Sequence, residues 1–95
     1  MSAYLIVDLE VTDRDSFERY KREVAANLAS FGARYLSRAG ATKVLEGDWS
    51  PRRLVLIEFP SMARLEEWYG SPSYAPLLEL RKRCASSRVV ATEGV

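Results

Sequence analysis

Tyr4-Leu5-Ile6-Val7-Asp8-Leu9-Glu10-Val11 is the stretch on which the fold turns. Leu5, Val7, Leu9 and Val11 share one face of a period-2 pattern rich in β-branched and aliphatic side chains, the signature of a strand against a core. The opposite face opens with Tyr4 and Ile6 before turning acidic at Asp8 and Glu10. A strand with apolar character on both faces predicts a central place in a sheet that is covered on both sides.

Thr12-x-x-Asp15 follows as a capping-box-like start, and Phe17, Tyr20, Val24, Leu28 and Phe31 recur at helical spacing up to Gly32, which is placed to end the helix. Ala33 to Arg38 reads as a strand, broken by a bulge or kink at Ala39-Gly40 and resumed from Thr42 to Glu46. Glu46-Gly47-Asp48-Trp49-Ser50-Pro51 is a turn by composition. Arg53 to Phe59 is the next strand, with Leu54 and Leu56 alternating against Val55, Ile57 and Phe59. Pro60-Ser61 supplies a stop and an N-cap for a short helix with Met62, Leu65, Trp68 and Tyr69 on one side, closed by Gly70. Beyond Ser71-Pro72 and Pro76, Leu77, Leu80 and Cys84 mark another helical stripe, whose last turn, Arg81-Lys82-Arg83, suits the helix dipole. Arg88 to Glu93 is a final short strand.

The order β-α-β-β-α-(α)-β is the split βαβ pattern of a ferredoxin-like α+β domain, with a four-stranded antiparallel sheet and helices on one side. Residues 1–95 then form a single domain. One helical layer leaves the second face of the sheet bare and apolar, and a second copy joined face to face is the economical cover. A homodimer is therefore expected. Size argues the same way, since a chain this small buries only roughly 60–65% of its unfolded surface and is marginal alone.

The 14 basic and 13 acidic residues give a formal net charge of +1, so no global field draws nucleic acid or an anionic membrane, and neither is expected as a partner. Cys84 is the single cysteine, which excludes an intrachain disulfide framework and suits a reducing compartment. The chain runs from Met1 straight into a strand without secretory features, which predicts a cytoplasmic location. Histidine is absent. That removes the usual zinc spacings, proximal-His haem ligation, the Ser-His-Asp triad and the Cys-His dyad within one chain. Acid–base work falls to carboxylates, tyrosines, arginines, lysines and the thiol, and no metal or other cofactor is expected. Carboxylate-only magnesium binding needs converging acids, for which Glu46 and Asp48 are the sole near pair.

Glu46-Gly47-Asp48-Trp49 commits two charges and a large ring to a turn, which suits a site, although a turn bond from Asp48 and packing of Trp49 would also account for it. Arg53 either pairs with one of these carboxylates or snorkels at a strand end. Trp68, Tyr69 and Tyr74 form either an aromatic-lined pocket for a planar organic ligand or plain core. Asp8 and Glu58 are carboxylates within apolar strands, where desolvation raises a pKa towards that of a general base unless they point to solvent.

Ala33-Arg34-Tyr35-Leu36, Leu45-Glu46-Gly47-Asp48-Trp49, Glu58-Phe59-Pro60-Ser61 and Trp68-Tyr69-x-Ser71-x-x-Tyr74 together resemble the family called domain of unknown function 1330, over almost the whole chain. That family commonly has Gly-Gly where this chain has Gly32-Ala33. The resemblance implies the dimeric α/β-barrel superfamily, which holds cofactor-independent monooxygenases, muconolactone-isomerase-like enzymes, haem-containing members and proteins with no known activity. The expected function is thus a small-molecule-binding homodimer acting as a cofactor-independent monooxygenase- or isomerase-like enzyme on a small aromatic compound. Asp8, Glu58 and Asp48 are its candidate catalytic groups, and Glu46, Trp49, Arg53, Trp68, Tyr69 and Tyr74 its candidate ligand contacts. The rival is a non-catalytic ligand-binding or stress-associated accessory protein.

Overall fold

The computed structural model describes all 95 residues. Its elements run β1 (Ala3–Val11), α1 (Arg14–Ser30), β2 (Arg34–Arg38), β3 (Arg53–Phe59), α2 (Met62–Tyr69), α3 (Ala75–Cys84) and β4 (Ala85–Glu93). The strands form one antiparallel sheet in the order β2-β3-β1-β4, so β1 is central as its two-faced apolar pattern requires. The architecture is the ferredoxin-like one that the element order predicts.

Parity decides which side of the sheet each residue serves. Leu5, Val7 and Leu9 of β1 and Val55, Ile57 and Phe59 of β3 are buried under Phe17, Tyr20, Val24 and Leu28 of α1 and under Leu65, Trp68, Leu77 and Leu80 of the later helices. On the opposite parity Tyr4, Ile6, Leu54 and Leu56 are only half-buried, and Val90 keeps 59% of its surface exposed. The molecule measures 36 × 34 × 17 Å, room for one sheet and one helical layer, so this second apolar face lies open.

Three boundaries differ from the sequence pattern. The N-cap of α1 is Asp13, not Thr12: its carboxylate accepts from the Ser16 amide at 3.3 Å and the Ser16 hydroxyl at 2.9 Å. A carboxylate there meets the positive end of the helix dipole, while the Thr12 and Asp13 amides both donate to the Cys84 carbonyl and fix the β1–α1 corner. Asp13→Ala is expected to cost about 1 kcal/mol of stability, read as a lowered urea midpoint with unchanged slope.

The second difference is in β2, which bulges at Leu36 and ends at Arg38. No strand resumes over 42–46, because Ala39 takes φ 57° with its amide on the Leu54 carbonyl, and that left-handed residue turns the chain off the sheet edge. Third, β4 begins at Ala85, directly after α3, instead of at Arg88. Long β1 offers hydrogen bonds up to Val11, which pairs with Ala85, and this partner overrides the weak strand propensity of Ser86 and Ser87.

Candidate functional site

Between the helix-facing side of the sheet and α1, α2 and α3 lies a cavity of about 50 Å³ with mostly apolar walls. Trp68 and Tyr74 form its packed end, with ring centroids 4.1 Å apart, and are almost completely buried. The Trp68 indole N–H donates to Asn27 Oδ1 at 2.8 Å, so this ring is fixed by a bond as well as by packing. Tyr69 stands 6.1 Å from Tyr74 and is 41% exposed, which places it at the mouth.

The cavity has a polar point. The hydroxyls of Tyr20 and Tyr74, from α1 and the turn before α3, lie 2.8 Å apart in a buried hydrogen bond. Burial pushes the Tyr20 phenol well above its ordinary value and raises that of Tyr74, where the Arg81 guanidinium opposes the rise. Both are therefore neutral hydrogen-bond donors and acceptors near neutral pH. An acid whose pKa is raised by folding holds its proton in the native state after the unfolded chain has lost it, so this contribution to stability is intact below about pH 10 and drains away above it. Thermal melts should accordingly fall steeply on the alkaline side of that value, and melts flat through it would contradict the buried pair.

Lys21, Arg38, Arg53 and Arg81 also line the cavity, whereas no aspartate or glutamate does. Lys21 pairs with Glu18 at 3.2 Å on the outer helix surface, and Arg38 covers the Tyr35 ring and donates to the Lys21 carbonyl. Arg53 lies over the Phe17 ring at 5.0 Å. Arg81 is only 6% exposed, and the buried Nε atoms of Arg53 and Arg81 have no hydrogen-bond partner.

A family model, "Domain of unknown function (DUF1330)", matches residues 2–95, nearly the whole chain. The chain belongs to the DUF1330 family. No match is found among curated proteins. Solved structures with the same fold include a protein of unknown function from Rhodopseudomonas palustris, with TM-score 0.78 and 16% identity over 99% of this chain and 82% of that one. SnoaB, a cofactor-independent oxygenase from Streptomyces nogalater, aligns with TM-score 0.68 and 10% identity over 99% of this DUF1330 chain and 93% of its own. A dimeric ferredoxin-like protein of unknown function from a Jannaschia species gives TM-score 0.66 and 16% identity over 99% and 100%. At such identities the likeness is one of fold.

In this DUF1330 protein the sequence-named residues divide by strand parity. Arg53, Trp68, Tyr69 and Tyr74 converge on the cavity. Asp8 and Glu58 do not reach it, because each alternates with core residues of its strand and points to the open face. Glu58 is paired with Arg34 at 2.6 Å, and that hydrogen bond holds its carboxyl below the usual range, opposite to the rise expected from desolvation. Asp8 accepts from the Trp49 indole N–H at 2.9 Å and from the Arg52 amide at 3.2 Å, tying the 39–52 segment to the sheet end. Glu46 and Asp48 are exposed and neither pairs with Arg53, whose core parity carries its side chain under α1 instead. Asp48, Trp49 and Asp8 line a separate shallow polar depression with Arg88. Asp8→Ala is expected to speed proteolytic cleavage within 39–52 several-fold while leaving the thermal midpoint nearly unchanged, because it frees a surface segment without opening the core.

Tyr20 and Arg81 belong to the site and were legible only as helix residues. Arg81 falls four residues after Leu77 and three before Cys84, the spacing of the buried stripe, so a charge on that face was the available signal.

Proposed function

We propose that this DUF1330 protein is a cytoplasmic homodimer that takes a small electron-rich phenol into the cavity between sheet and helices and oxidises it without a metal or organic cofactor. The observation that carries this reading is the Tyr20–Tyr74 hydroxyl pair, the polar point of an apolar, aromatic-walled cavity. A neutral donor pair there can hold the phenolic oxygen, while the rings of Trp68 and Tyr69 stack against the substrate. In the proposed reaction the substrate's own ring supplies the electrons: a ring C–H carbon gains one oxygen atom of O2, the phenol becomes a quinone, and the second oxygen leaves as water. The fold shared with a cofactor-independent oxygenase supports this chemistry, and the absence of histidine from the chain suits a route in which the substrate is itself the reductant.

The dimer rests on the open apolar face of the sheet, and solved structures of the same fold are described as dimeric. The test of the function is oxygen uptake by the purified protein with a panel of naphthols and hydroquinones in the presence of a chelator. Uptake that survives the chelator and drops on Tyr74→Phe supports the proposal; activity abolished by the chelator and restored by one metal refutes it. A second reading, a non-catalytic ligand-binding or accessory protein, is favoured by the cavity's small volume and its lack of a carboxylate base. Binding of these phenols without turnover would establish that reading.

A further inference from the structure

The cavity's charge balance goes beyond the placing of a phenol in it. Three arginines line the space between sheet and helices, two of them, Arg53 and Arg81, with a buried Nε that has no partner, and no carboxylate accompanies them. Arg81 is more than nine-tenths buried and its Nε has no partner; the Nε of Arg53, on β3, is in the same condition. Arg81 meets the Tyr74 hydroxyl, but a neutral phenol does not balance its charge, and proteins ordinarily place a carboxylate beside a buried cation. The acids of the ion pairs Arg34 with Glu58 and Lys21 with Glu18 do not line the cavity.

We infer that the cavity takes its aromatic ligand as a phenolate, whose oxyanion completes the hydrogen bonding of Arg81 and Arg53 and accepts from the Tyr20–Tyr74 hydroxyl pair. The inference rests on the phenol-binding reading above and deepens it. The phenolic proton passes to bulk water on binding, so no protein carboxylate is required as a base, and an ionised phenol is the better electron donor to O2. Planar guanidinium groups against an oxyanion are the strong, charge-assisted form of hydrogen bond. The aromatic walls accept the ring, and Tyr69 and Arg38, at the exposed side of the cavity, are the side chains whose rotation enlarges it.

The probe is para-nitrophenol, whose neutral and ionised forms absorb at different wavelengths, titrated with the full-length protein over a pH series. The bound probe is expected to ionise at a pH lower by about one to three units than the free probe, the effect of an opposite charge within contact distance. Arg81→Met should still fold, with a melting temperature equal to or above that of the parent, since it replaces an unpaired buried charge by an apolar chain of similar length. It should bind the neutral probe but lose most of the shift. Arg53→Met provides the same readout from β3, on the sheet side of the cavity. Probe that binds with its free ionisation behaviour, or a shift that survives both substitutions, overturns the anionic site while leaving the cavity reading in place. Failure of the probe to bind in both forms overturns both.

Discussion

Trp68→Ala is expected to remove about 3–5 kcal/mol of folding stability, the range for deleting a buried Trp or Phe from a core. The ring is 2% exposed and packs between Tyr74 at 4.1 Å and Phe59 at 5.3 Å, so its loss strips contacts from α2, β3 and the turn before α3 together. It also leaves Asn27 Oδ1 without the indole donor. A domain of this size has only on the order of 5–10 kcal/mol to lose, so a substantial unfolded population at ambient temperature follows. Urea denaturation followed by far-ultraviolet circular dichroism measures it. A loss below about 1 kcal/mol would mean that the aromatic end is loosely packed and that the cavity has no fixed wall.

Leu56→Lys is expected to convert the proposed dimer to a monomer. Ile6 pairs with Leu56 on one side and Val90 on the other, so these residues form a continuous apolar row across three strands of the open face. A lysine at the centre of an apolar face-to-face interface must be desolvated, at a cost of several kcal/mol. Because each 1.4 kcal/mol is tenfold in affinity, the dissociation constant should rise by about a hundredfold or more. The substitution sits away from the helix-side core, so the monomer should retain its secondary structure. Sedimentation velocity at micromolar concentration distinguishes the two species; a parent protein that sediments as a monomer contradicts the proposed dimer outright.

Much of the fold was legible because it depends on local periodicity. The two-faced β1, the α1 stripe, the Ser61 cap and the Gly70 stop are short-range signals, and the strands and helices form where those signals lie. What was illegible depends on partners far along the chain. Ser86 and Ser87 became strand because β1 offered them hydrogen bonds, and the 42–46 segment lost its strand because Ala39 turned it away from the sheet edge. The site divided in the same manner. Trp68 and Tyr74 announce a cavity wall by size, but whether Asp8 or Glu58 faces it is a matter of strand parity against the helical layer. Composition left carboxylates, tyrosines, arginines, lysines and the thiol for acid–base chemistry, and Asp8, Glu58 and Asp48 were the candidates among them. The structure joins Tyr20 and Arg81 to the expected Tyr74 and Arg53 there, with Asp8 and Glu58 on the other side of the sheet.

That division supplies the most direct test of where the ligand sits. The chain has two tryptophans: Trp68 lines the cavity, and Trp49 lies on the opposite side of the sheet with its indole N–H on Asp8. In a nitrogen–proton correlation spectrum of the labelled protein they give separate indole signals, assigned by a Trp49→Phe variant. Addition of para-nitrophenol should shift the Trp68 signal progressively and leave that of Trp49 in place. Movement of Trp49 with Trp68 unchanged would put the ligand on the open face and contradict the cavity between sheet and helices as the functional site.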